Sequence, residues 1–71
     1  MAVSVLRRKM AETIRAERAR QGLSQAQVAQ TAGVAPRRIV QIENGSSDPR
    51  FSTVARITEA LGLTITVDGA A

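Results

Sequence analysis

The chain has 71 residues, enough for one small domain over residues 1–71 but too few to enclose a deep active-site pocket. Ten Lys and Arg against six Asp and Glu give a formal charge of +4, which favours a polyanionic partner, although an Arg-rich helical surface with no such partner stays open. Because Cys and His are absent, disulfides, thiolate metal sites and the commonest general base are excluded, and we expect no enzyme activity, metal or cofactor.

The first predicted helix covers residues 5–21. Ser4 can cap its start, and Gly22 can end it. One apolar stripe at a spacing of four residues is expected to face the core, and it consists of Leu6, Met10 and Ile14. The charged residues on the other faces are most simply a solvated surface.

Two shorter helices follow. The second covers residues 24–30, with Ser24 as its cap and with Val28 and Ala29 buried. The third covers residues 36–44 and begins with a proline, whose missing N–H costs nothing at that position. At about 100° per residue, Ile39 and Ile42 point to one side of this third helix, toward the core.

The C-terminal part is predicted to form a fourth helix and a short strand. The helix covers residues 51–61, and its buried face is expected to consist of Phe51, Val54, Ile57 and Leu61. A strand is favoured by the alternating, β-branched run of Leu63, Thr64, Ile65, Thr66 and Val67, and residues 68–71 are expected to fray. The unpaired edge of a lone strand would be satisfied by antiparallel pairing with a second copy in a homodimer. A tail that stays disordered or folds back is the alternative.

The outward face of the third helix suggests a partner. Two arginines sit in its first turn, where the helix dipole disfavours cations, and the outer face shows Arg37, Val40, Gln41 and Asn44, with Arg38 on the flank. This face combines a forked guanidinium group, an amide and a small apolar surface, and a short helix precedes it through a glycine turn. That arrangement is the layout of a helix-turn-helix recognition element. Double-stranded DNA would supply the anion that neutralises these arginines. The alternative is that both are merely solvated, because exposed arginines at this position cost only a few tenths of a kcal/mol.

Other ligand classes are disfavoured. Phe51 is the only aromatic residue, so bases of a single strand have no stacking platform. No apolar run approaches membrane-spanning length, and the opening MAVSVLRRKM lacks the hydrophobic stretch of a signal peptide. We therefore expect a cytoplasmic, nucleoid-associated protein without a membrane partner.

Residues 14–63, IRAERARQGLSQAQVAQTAGVAPRRIVQIENGSSDPRFSTVARITEALGL, resemble the Xre/Cro, lambda-repressor-like helix-turn-helix family. GLSQAQVA opens the second helix, AGV makes the turn, and IENG closes the third helix. The resemblance implies an all-α lambda-repressor-like DNA-binding domain of four main helices, which the C-terminal strand would extend. LGLTITV further resembles the HipB-like and y4mF-like antitoxin regulators, which end in a short strand.

The resemblance also implies roles for individual residues. Together with the outward face, it gives the candidates for base contact as Pro36, Arg37, Val40 and Gln41. Candidates for phosphate or minor-groove contact are Ser24, Gln25, Arg38, Asn44 and Arg50. A structural ion pair is expected between Arg18 and Glu43. Two departures from the family pattern are Ala35, where a capping Ser or Thr is usual, and Pro36, which replaces a side chain that often contacts bases.

The function expected is that of a dimeric, sequence-specific transcriptional repressor on a palindromic operator. Two more specific roles of such a repressor, and one alternative of another class, stay open. The chain could be the antitoxin and autoregulator of a toxin operon, with a toxin protein as a further partner. It could also be a phage-type or housekeeping repressor without a toxin, or a protein-interaction module that neutralises a toxin and binds DNA only incidentally.

Overall fold

The described part of the chain is all-helical. The computed structural model describes residues 2–46 and 48–65, with side chains from residue 5 onward. Its four helices are α1 (Ala2–Arg20), α2 (Gln25–Ala32), α3 (Pro36–Glu43) and α4 (Phe51–Ala60). The predicted four-helix fold is therefore confirmed.

The helix boundaries follow local chemistry at most ends. Ser24 and Gln27 form a capping box at the start of α2, and Gly33, with φ of 73°, ends α2 in the left-handed conformation. The first helix begins earlier than predicted, at Ala2, so Ser4 lies inside α1 and does not precede it. Alanine is a strong helix former, and no proline or glycine in the first residues stops the helix from extending.

The core lies where the three shorter helices meet the C-terminal half of α1. α2 packs against both α3 and α4, and α1 packs against α3. The largest fully buried side chains are Ile14, Ile39, Ile42, Ile57 and Val28. The periodicity of α3 is thus confirmed, because its two isoleucines are inside and the opposite face is free for a ligand.

Two predicted core residues are exposed instead. Leu6 is 72% exposed and Phe51 is 69% exposed, so their assignment to the core was wrong. Phe51 is the first residue of α4, and Leu6 lies in the N-terminal half of α1. Neither is covered by neighbouring helices in the way that Ile14 and Ile57 are. Leu6, Phe51, Met10, Val54 and Ile65 line one open apolar groove between α1 and α4.

The predicted C-terminal strand is only partly within the described residues. No strand occurs among residues 2–46 and 48–65, and residues 63–65 have no regular structure. Leu63 packs against the core, whereas Ile65 is 38% exposed. Thr66 and Val67, like the predicted frayed end at 68–71, lie outside the described residues.

Candidate DNA interface

The outer face of α3 is polar, basic and accessible. Pro36, Arg37, Arg38 and Val40 are exposed, and Gln41 is half-buried. Pro36 is the first residue of α3, and the preceding Ala35 makes no side-chain cap. Because Ile39 and Ile42 anchor the other face, α3 holds this surface in a fixed orientation.

Arg37 and Arg38 occupy the N-terminal turn of α3, where the helix dipole is positive. Neither takes part in an ion pair with any residue of the described part of the chain. Both guanidinium groups are therefore available to an external anion, and their forked donors match phosphate oxygens and guanine edges.

The start of α2 offers a second anion-binding element. The Ser24 hydroxyl accepts a hydrogen bond from the Gln27 amide at 3.0 Å, and the Gln27 side chain accepts one from the Ser24 amide at 2.7 Å. The capping box leaves the main-chain N–H groups of Gln25 and Ala26 without intrahelical partners. Such N–H groups at a helix N-terminus suit a phosphate.

The side chain of Gln25 is engaged within the fold. Its amide nitrogen donates to Glu43 Oε1 at 3.1 Å, so this group is not free for the phosphate expected from the resemblance. The Glu43 carboxylate competes with a DNA phosphate for the Gln25 amide, because a charged acceptor forms strong hydrogen bonds. Any phosphate contact of Gln25 in this conformation has to use its main-chain N–H.

A buried ion pair connects α1 with the end of α3. Arg18 donates to both carboxylate oxygens of Glu43, from Nε at 2.6 Å and from Nη2 at 2.9 Å. Its Nη1 also donates to the Leu23 carbonyl at 2.9 Å, and Arg15 Nη1 donates to the Glu43 carbonyl at 3.1 Å. The Glu43 side chain is only 2% exposed. Together with Gln25, these contacts fix α3 relative to α1 and α2.

The remaining two candidates lie in the segment after α3. Asn44 follows the last residue of α3 and is exposed, and Gly45 after it adopts a φ of 67°. Arg50 is the residue before α4, is exposed, and makes no side-chain cap. Both side chains are accessible, and Asn44 continues α3 as its C-cap, with its main-chain N–H bonded to the Val40 carbonyl, whereas Arg50 lies at the start of α4.

Comparison with known families identifies the fold. A family model described as helix-turn-helix, HTH_3, matches residues 14–67, more than half of the chain. The chain belongs to this lambda-repressor-like helix-turn-helix family. No curated protein and no solved structure gives a significant match.

Membership of this family assigns the chain to the DNA-binding transcription regulators. The helix-turn-helix element itself is α2, the turn at Gly33 and α3. In the described part of the chain, every helix is too short or too polar to cross a membrane.

Sequence reasoning overlooked two contacts in the helix-turn-helix domain, those of Arg15 and Gln25 with Glu43. A signal was present for Arg15, because it lies three residues before Arg18 and such residues share a helix face. For Gln25 the signal was weaker, because its contact with Glu43 joins residues 18 positions apart.

Glu43 gives the stability of the domain a predictable dependence on pH. Burial alone would raise the pKa of Glu43, but hydrogen bonds from Arg18 and Gln25 and the charges of Arg18 and Arg15 hold that pKa below its ordinary value. The stabilisation is therefore complete above the unfolded pKa of about 4.3 and is lost as the pH falls through the lower folded pKa.

We expect Glu43→Gln to be less stable than wild type at neutral pH and to lose less stability on acidification below about pH 5. Urea unfolding at a series of pH values measures both curves. Hydrogen bonds from Arg20 and Gln21 lower the pKa of Glu17 to about 2. The pH dependence of stability that Glu17 adds is the same in both proteins, so it drops out of the comparison. Parallel curves would show that Glu43 does not carry the dependence.

Proposed function

We propose that this helix-turn-helix domain is a transcriptional repressor that recognises a specific double-stranded DNA sequence through α3. One observation carries the proposal: α3 is anchored by buried Ile39 and Ile42 and presents exposed Arg37 and Val40, with Gln41 beside them, on its other side. In the major groove, an arginine fork matches guanine, a glutamine amide matches adenine, and an apolar side chain suits the thymine methyl group.

The proposed contacts divide into two kinds. Arg37, Val40 and Gln41 read base edges, with Pro36 close to them at the start of α3. Positioning contacts to phosphates or the minor groove come from Ser24, the Gln25 main chain, Arg38, Asn44 and Arg50. Phosphate contacts fix the register, and base contacts supply the preference for one sequence.

Selection from a library of random duplexes tests the proposal. Repeated rounds of binding at physiological salt should enrich one sequence with two-fold symmetry, and Arg37→Ala/Gln41→Ala should fail to enrich it. A wild-type pool that stays random after several rounds would contradict sequence-specific recognition. Binding of that random pool with a steep salt dependence would indicate non-specific DNA binding instead.

We further propose that the protein acts as a homodimer on a palindromic operator. One recognition helix contacts few base pairs, whereas two helices about one DNA turn apart read a symmetric site. Two features support a second copy as the partner. The groove that exposes Leu6 and Phe51 has no cover from the described part of this chain, and Ile65 is one of the residues that line it. Residues 63–67, four of which are β-branched, can pair antiparallel with their copy.

Ile65→Pro should shift the protein toward the monomer, because proline removes an N–H and disfavours strand geometry. Operator affinity should fall by about a hundredfold as the linked second contact is lost, with much less effect on non-specific binding. Sedimentation and titrations against full and half operators measure this. Ile65→Val, which keeps the β-branched side chain, should behave as wild type. A proline variant that stays dimeric would place the interface outside residues 63–67, with the α4 surface as the first alternative.

We propose the antitoxin and autoregulator role within a toxin operon as the more specific function. The support is the resemblance of LGLTITV to HipB-like regulators. Affinity purification from the native cell should recover a toxin protein in a stable complex, encoded beside this gene. Recovery of operator DNA without such a protein would favour a phage-type or housekeeping repressor. A stable toxin complex that has no preference for any duplex would favour a neutralising module that binds DNA only incidentally.

A further inference from the structure

The N-terminal half of α1 carries a basic surface that the proposed base contacts do not use. Residues 2–13 of this helix precede the part of the chain that matches the family model. Arg7, Arg8 and Lys9 follow one another there. Successive residues of a helix point about 100° apart, so three consecutive cations do not all face the same part of the surface.

Two of these cations line a cleft at the end of α3. The cleft has a volume of about 420 Å³, and its walls include Arg7, Arg8 and Arg15 from α1 together with Asn44 and Gly45. Lys9 lines a different groove, with Met10, Thr13 and Thr64. The basic face of α1 is therefore continuous with the residue after α3 that is a candidate for backbone contact.

The charges in this cleft favour an anion. Glu43 is already bonded to Arg18 and Gln25, which leaves Glu12 as the carboxylate that opposes the arginines there. Arg7 lies 3.9 Å from the exposed Asp48, whereas Arg8 is exposed and takes part in none of the ion pairs of residues 2–46 and 48–65. A guanidinium group that is exposed and unpaired keeps all its donors for a phosphate.

We propose that this cleft binds a phosphate of the DNA backbone at the edge of the half-site, with Arg8 as the main contact and Arg15 beside it. The inference rests on the proposed function, because DNA held by α3 brings its backbone to Asn44. The extension of α1 thus enlarges the backbone footprint beyond the helix-turn-helix element. It contributes affinity and register but no preference for a base sequence.

Salt titrations with a matched pair of variants test the proposal. For Arg8→Ala, the slope of log affinity against log salt should become shallower by about 0.9 for each protomer and so by about 1.8 for the dimer, which makes the loss of affinity between about 50 and 200 mM salt about twelvefold smaller. This change should be the same for the selected operator and for a shuffled duplex. Lys9→Ala removes the same charge from the next residue and should keep the wild-type slope, as should Arg8→Lys, which keeps the cation.

Equal slopes for Arg8→Ala and Lys9→Ala, whether both changed or both unchanged, would overturn the proposal. If wild type prefers the operator and only this comparison fails, the proposed function stands without the extra contact. If wild type binds no duplex, both fail together. Inorganic phosphate alone, compared with chloride at equal ionic strength, should not raise the melting temperature. A rise that Arg8→Ala abolishes would identify a site for a free anion and overturn the DNA assignment.

Discussion

Replacing Glu43 by Ala should lower the free energy of unfolding by about 3–5 kcal/mol. The Glu43 side chain is 2% exposed and accepts hydrogen bonds from Arg18 and Gln25. Removing it leaves the Arg18 guanidinium partly buried without its counter-charge, and a buried charge without a partner is strongly destabilising. Reversible denaturation in urea at neutral pH measures the change.

A second ion pair, within α1, provides the control. Glu17 and Arg20 form an ion pair in which the Arg20 side chain is 71% exposed and the Glu17 side chain is 18% exposed. Glu17→Ala should lower the free energy of unfolding much less than Glu43→Ala, because the Arg20 guanidinium that it leaves without a partner stays hydrated by solvent. If Glu43→Ala and Glu17→Ala had the same small effect, the Arg18–Glu43 pair would not hold α1 and α3 together.

The double variant Arg37→Ala/Gln41→Ala should lose operator preference by about 1–3 kcal/mol for each base contact that it removes. The fold should stay intact, since Arg37 is exposed and the Gln41 side chain makes no hydrogen bond with the described residues. Titrations of both proteins against the selected operator and a shuffled duplex give the preference. Melting curves show whether the fold is unchanged.

Two further substitutions show which property the double variant has lost. Arg56 is exposed on α4 and lines a groove with Thr31 and Ala32 at the C-terminal end of α2, so Arg56→Ala removes one charge and should keep the operator preference. Arg38→Ala should weaken binding to every duplex and make the salt dependence shallower, as expected for a phosphate contact. An operator-selective loss in Arg38→Ala with an unchanged salt slope would mean that Arg37 and Arg38 have exchanged roles.

The local part of the fold could be predicted from the sequence. The spacing of Ile39 and Ile42 correctly gave the buried face of α3, and Ser24 correctly marked the start of α2. Both signals act over a single helix turn, because a helical repeat and a capping side chain need only neighbouring residues. The outward position of Arg37 follows from the same periodicity.

The misplaced residues depend on contacts between helices. Periodicity places Leu6 on the same face of α1 as Ile14, but only the positions of the other helices decide that Ile14 is 1% exposed and Leu6 is 72% exposed. The Gln25–Glu43 hydrogen bond likewise depends on how α2 and α3 cross. The strand at residues 63–67 would need a second chain as its ladder partner, which no local pattern identifies.

The central claim is that α3 reads a base sequence, and the ratio of two affinities tests it most directly. Wild type should be titrated at about 150 mM salt against the selected operator and against a duplex of the same composition in shuffled order. We expect the operator to bind at least about a thousandfold more tightly, as is typical of specific DNA-binding proteins. Equal affinities for the two duplexes would contradict sequence-specific recognition by this domain.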